Sequence, residues 1–386
     1  KEIAKQPELG EPIRKRFIEH NEQVQQNLDA FIDQTGADVT SLRDVGVSVT
    51  KAINKELAKR KTKIRAMYKK AEQSGGMAEN VDLQPLSDFM NKSRAEAEAA
   101  PVLKALNKEI VEVRELGSGS VSDGSLSIGK LSLNDAESIR RRVNGLVKSK
   151  EPEDVRMATI LKKIIDEQTE GKGNELYKAA RKERMKLAND FGNVGTVKNL
   201  IETKPGTKDR RIALEDVLRK SVIDPSASTD QVVHLRRLLK REGAEGQQAW
   251  RDIQGGTVQY IKDEITKNVA MDELGNPVVS PAAFDKIINK LGSTEKLDAI
   301  FGRNGAEKLE LLRDVTKDLM VAPPGSVNTS GTSAAILAAI DMMVTAGTGM
   351  PTPVLSGLRL LSKNIKDRKI KKRVNEALKG VNTPAD

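Results

Sequence analysis

At 386 residues the chain is long enough for two or three ordinary domains, yet 31% charged and only 3% aromatic residues, with Trp250 the single tryptophan, turn away from sheet-based catalytic domains and toward helices. Sixty-five Lys and Arg against 55 Asp and Glu leave a formal charge of +10, which favours anionic partners such as nucleic acid or a lipid headgroup surface. Without Cys there are no disulfides and no thiolate metal sites, and His20 and His234 stand too far apart for a common zinc motif.

Because the first residue is Lys1 rather than Met, and no signal-type apolar run follows it, a trimmed, processed or excerpted chain is expected. Residues 11–34 and 40–74 are nearly free of breakers and predict two long helices. The second places Val49, Ile53, Leu57, Ile64 and Met67 on one face and stops at Gly75-Gly76. It also carries a basic run of Lys59, Arg60, Lys61, Lys63, Arg65, Lys69 and Lys70. A polar helix is expected over 84–98, and after Pro101 an apolar stripe of Leu103, Leu106, Ile110 and Val113 closes an N-terminal long-helix region, 1–116.

Residues 117–131, GSGSVSDGSLSIGKL, predict a loop or a short β-hairpin turning at Asp123-Gly124. Ser132 then opens a helix with Asp135 in a variant capping box, and that helix bears Arg140, Arg141 and Arg142. Further helices are expected near 152–168, 173–190, 208–222, 228–242, 246–269, 281–291 and 303–320. Pro205-Gly206, Gly243, Gly255-Gly256, Gly275 to Pro277 and Gly292 punctuate them. The fold class expected is mainly α: an elongated multi-helix bundle with a helical body at 132–321, a linker at 322–332 and no fixed-period repeat.

After the linker, 333–386 predicts an apolar helical hairpin followed by a basic helix. Thirteen residues from Ala334 to Ala346 are apolar except Asp341 and Thr345, too short a run for a spanning helix of ~20 residues. Asp341 would add roughly 2.5–3.5 kcal/mol to insertion. Ala335 and Ala339 allow close helix approach, Met342 and Leu358 extend the apolar face, and Gly347 and Gly349 loosen the tip. Three fates stay open: a packed hairpin, conditional insertion into a membrane, or neither. Lys363, Lys366, Arg368, Lys369, Lys371, Lys372 and Arg373 would face an anionic surface, as would Arg236, Arg237 and the 140–142 triplet.

No catalytic pattern emerges. Gly124 to Lys130 fits G-x-x-x-x-G-K, but Leu131 stands where a magnesium-binding Ser or Thr belongs, and no buried strand precedes it. GKGNEL at 171–176 reads as a helix break, and no nucleophile elbow occurs. His20 reads as a surface residue and His234 as an ordinary core or interface residue. No cofactor, metal or catalytic residue is expected, and aromatics are too few for base-stacking platforms, which leaves contact with DNA phosphates.

Three segments carry a resemblance: LRRLLKREGAEGQQAWRDIQGG (235–256), KLDAIFGRNGAEKLELLRDVTKDL (296–319) and GSVNTSGTSAAILAAI (325–340). Over roughly 150–375 the chain resembles internal virion, or DNA-ejection, proteins of short-tailed bacteriophages and prophages. The resemblance implies a mostly helical, non-enzymatic homo-oligomer packed inside the capsid near the portal. It implies partners in the portal, other ejection proteins, the double-stranded DNA backbone and the host membrane. On infection such proteins move to the host envelope and form a conduit for DNA. Two alternatives stand beside it: a cytoplasmic helical scaffold binding nucleic-acid phosphates without sequence preference, and an enzyme domain of muramidase or nucleotide-hydrolase type.

Overall fold

The computed structural model describes residues 7–93, 121–122, 125–126, 130–146, 152–204, 207–272, 274–291 and 294–321. The chain is mainly helical and forms two compact units that do not follow chain order. One unit takes residues 1–56, 194–202 and 210 onward; the other takes 57–193 and 203–209. The predicted 132–321 body is thus divided between them, and one long helix contributes residues to both.

The first unit contains α1 (Pro7–Thr35), the opening half of α2 (Leu42–Gln73), and α7 (Gly195–Ile201) through α11 (Thr294–Val321). Within it α8 is Thr229–Glu242, α9 Ala244–Thr266 and α10 Pro281–Lys290. Helix α9 packs against α1, α8 and α10, and its Trp250, Ile253, Val258 and Ile261 are buried. Ser41 starts α2: its Oγ accepts from the Asp44 amide at 3.2 Å and its hydroxyl donates to the Asp44 carboxylate at 2.6 Å, a cap worth about 1 kcal/mol.

Two expectations fail here for a common reason, close backbone approach. Gly255-Gly256 does not interrupt α9; it lets neighbours in, since a Cβ on Gly255 would lie 2.4 Å from Ala37 Cβ and one on Gly256 2.8 Å from Val45 Cγ2. No single helix spans 208–222. A 3-10 turn at Leu214–Asp216 and a π-helical turn at Arg219–Ile223 replace it, and the Leu214 carbonyl lies where a Cβ on Gly46 would be, 2.0 Å away. Helix α7 was not expected, and α11 begins at Thr294 with a break at Gly302, φ 75°.

The second unit contains the rest of α2, then β1 (Asn80–Asp82), α3 (Gln84–Lys92), β2 (Val121–Ser122), β3 (Ser125–Leu126) and β4 (Lys130–Ser132). Helices α4 (Leu133–Leu146), α5 (Pro152–Gln168) and α6 (Glu175–Phe191) complete it. Strand β2 pairs antiparallel with β3, Val121 opposite Leu126 and Ser122 opposite Ser125, while the expected turn residues Asp123 and Gly124 lie outside the described residues. Strand β1 pairs with β4, Val81 opposite Leu131, a match across some fifty residues that local pattern does not announce. Ser132 caps α4 as expected: Oγ accepts from the Asp135 amide at 3.2 Å and the hydroxyl donates to its carboxylate at 2.5 Å.

The core of this unit gathers Val81, Leu83, Leu86, Leu131, Leu133, Ile139, Met157, Leu161 and Ile165. The loop after α2 is clasped by α4 and α6. Leu133 and Asn134 donate amides to the carbonyls of Glu79 and Met77, and the Gly173 amide donates to the Glu79 carboxylate at 2.7 Å. Gly171 and Gly173, at φ 69° and 78°, make the break before α6, whose first turn Asn174 caps through the Tyr177 amide.

Candidate functional site: a charged network and its cleft

Helix periodicity builds the site in the second unit. On α6, Tyr177, Arg181 and Arg184 are spaced by four and three residues; on α4, Glu137 is followed by Arg140 and Arg141 at the same two intervals. Each set therefore lies on one helical face, and the two faces meet. The Glu137 side chain is 3% exposed and accepts from the Tyr177 hydroxyl and from Arg184 Nη1, both at 2.8 Å, with Arg181 Nη1 at 4.0 Å. Arg140 grips Asp166 of α5 with two donors, Nη2 to Oδ2 at 3.1 Å, and Arg181 Nη2 reaches the same carboxylate at 3.3 Å. Arg181 also donates to the Thr169 carbonyl and hydroxyl at the end of α5.

Two tyrosines line this network. The Tyr68 ring of α2 meets Tyr177 edge-on at 5.9 Å, and the Arg184 guanidinium lies 5.6 Å from its centroid. Burial, with the Glu137 carboxylate adding to it, pushes both phenols above the ordinary tyrosine range, so both are neutral donors at pH 7. Tyr177 uses its hydroxyl on Glu137, whereas the buried Tyr68 hydroxyl has no hydrogen-bond partner.

Above the network opens a cleft of about 490 Å³, lined in part by Ile64, Met77 and Leu187. Its cations are Lys61, Arg65 and Lys69 from α2, Arg141 from α4 and Arg184 from α6; its carboxylates are Glu72 and Glu137. Lys61, Arg65 and Lys69 are exposed and form no ion pair among the described residues. A second hollow, about 560 Å³, shares Arg184 and is lined by Lys162, Lys163, Lys172, Lys178 and Lys182. Several of those lysines already hold glutamates, as Lys178 holds Glu175 at 3.0 Å and Lys172 holds Glu79 at 3.2 Å.

The arginine triplet is thereby sorted. Arg140 is 9% exposed and committed to Asp166, which corrects its reading as a surface contact; Arg141 stands at the cleft, and Arg142 is exposed. Arg60 of the α2 run is also turned inward, to Asp190 at 2.6 Å and over the Phe191 ring. In the first unit Arg236 lies over Trp250 and donates to the Ala299 carbonyl at 3.1 Å, while Arg237 meets His234 at 2.7 Å. His20 is half-buried rather than on the open surface. Ala335, Ala339, Asp341, Met342, Gly347, Gly349 and Leu358 lie outside the described residues, as do the basic positions 363–373.

Glu137, Asp166, Tyr68, Tyr177, Arg181 and Arg184 were not singled out from the sequence, although the 177/181/184 spacing was there to find. Among the described residues no cluster of three His, Asp or Glu could hold a metal ion, and no helix is long and apolar enough to cross a membrane. No family model, curated protein or solved structure matches the chain.

Proposed function

We propose that the chain is a non-enzymatic virion protein of a short-tailed phage that holds double-stranded DNA by its phosphates. In this reading it is packed near the portal, associates with itself and with other virion proteins, and leaves with the DNA to help form a conduit across the host envelope. The supporting observation is the exposed row Lys61, Arg65, Lys69 on α2, one cation per helical turn and without a carboxylate partner among the described residues. Successive positions rise about 6 Å along the helix axis, so the row presents a linear cationic edge to a linear polyanion. The segment resemblance and the basic run after 361 support the virion setting.

The same row supports a second reading, a helical scaffold on nucleic acid with no membrane step. Full-length chain titrated onto two duplexes of unrelated sequence tests what the readings share: equal affinities support phosphate binding, and no binding to either refutes it. Flotation with anionic vesicles separates the two readings, because ejection requires lipid association and a scaffold does not.

A further inference from the structure

The row Lys61, Arg65, Lys69 forms one wall of the cleft, yet an exposed edge and a hollow suit different ligands. A duplex is a rod, and its backbone lies along an exposed edge; it does not enter a concavity of about 490 Å³. That volume lies within the range of about 300–1,000 Å³ usual for small-molecule sites. The charges around it converge: five cations face two carboxylates. Of those carboxylates, Glu137 is matched by Arg184, and Glu72 accepts from the Asn134 side-chain Nδ2 at 3.2 Å. An excess of cations around a partly apolar hollow fits a compact dianion carried on an organic body. We infer that the cleft binds a phosphate monoester of the nucleotide class, either the 5′-phosphorylated end of a DNA strand or a free nucleotide.

A second observation points the same way. Arg184 lines the cleft while paired with Glu137, and beside that pair the Tyr68 hydroxyl is buried without a partner. When Arg184 turns to an incoming phosphate, the neutral Tyr68 phenol can donate to the Glu137 carboxylate in its place. The buried charge then keeps its hydrogen bonds, and the arginine is released at low cost. Tyr68 is in this sense a positioning residue, acting on the ligand through Arg184.

The inference rests on the phosphate-binding reading of the α2 row and adds an end-specific site to it. The test uses the full chain and fluorescently labelled duplexes of one sequence, bearing either a 5′-phosphate or a 5′-hydroxyl. The phosphorylated duplex is expected to bind about tenfold tighter. The ratio should fall toward one in Leu187→Glu, which brings a carboxylate to the cleft wall, and by about threefold in Tyr68→Phe, which removes the spare donor. Calorimetric titration with dAMP separates the two sources: binding lost in Arg65→Ala assigns the cleft to free nucleotide, and no dAMP binding beside a preserved end preference assigns it to strand ends. Equal affinity for both duplexes together with no dAMP binding overturns the inference while leaving the phosphate row intact. Failure of both duplexes to bind overturns both.

Discussion

Replacing Glu137 with Ala probes the network from its centre. The substitution removes the acceptor of the Tyr177 hydroxyl and of Arg184, and leaves Arg181 and Arg184 as clustered positive charges in the interior. Breaking a buried pair by deleting one partner costs about 3–5 kcal/mol. The Arg184 and Arg181 side chains keep 22% and 16% exposure, so some water remains to them and the loss should sit near the lower bound, about 3 kcal/mol. Glu137→Gln keeps an oxygen for Tyr177 but no charge, and should lose about 1–2 kcal/mol. The double variant with Arg184→Ala should lose less than the sum of the singles, because the second change removes a charge that the first stranded. Urea unfolding at pH 7, followed by circular dichroism at 222 nm, measures the original, the three single variants and the double variant. A Glu137→Ala protein within about 0.5 kcal/mol of the original, or strict additivity in the cycle, would refute the view that these charges act as one buried unit.

Other outcomes follow from single positions. Gly46→Ala should destabilise by about 2–3 kcal/mol, since its Cβ would lie 2.0 Å from the Leu214 carbonyl oxygen; Gly145→Ala, with nothing within 4 Å, should gain about 0.5 kcal/mol, both read by thermal melts. His20 is held below its usual pKa of 6.5 by burial, with Glu19 opposing and Arg16 assisting. The unfolded chain therefore takes up the proton first, so stability present above pH 6.5 is lost as pH falls, and His20→Gln should flatten that decline in a series of melts. If the 333–373 stretch serves lipid association, flotation with anionic vesicles should be lost when the chain ends at residue 329, and unchanged flotation would count against ejection.

The long helices were legible because their apolar positions recur every three or four residues and because their ends carry local signals. Ser132 at the start of α4 and the glycines at 171 and 173 before α6 act through neighbours in sequence, so the sequence shows them. What escaped depends on distant partners. The β1–β4 pairing joins three residues on each side across a wide separation, and no strand pattern that short stands out. Leu214, Val217 and Leu218 have helical spacing, but the close approach of Leu214 to Gly46 is made with a tighter and a wider turn instead. Gly255-Gly256 looks like a breaker until Ala37 and Val45 are seen against it.

The charged site was half legible for the same reason. The α2 basic run is visible as composition, and Lys61, Arg65 and Lys69 within it are exposed. The burial of Glu137, and of Arg140 with it, is not visible, because a charge is sequence-typed as solvated until a partner from another helix is known. The orphan hydroxyl of Tyr68 belongs wholly to the tertiary structure.

The central claim is that the α2 row binds DNA through its phosphates, and the salt dependence of duplex binding tests it most directly. With Lys61, Arg65 and Lys69 engaged, log K against log salt should fall with a slope of about −3. Lys61→Gln, Arg65→Gln and Lys69→Gln together should flatten that slope by about 3 and weaken binding equally on unrelated sequences. A slope near zero in the original chain, or one that the triple substitution leaves unchanged, would contradict the account.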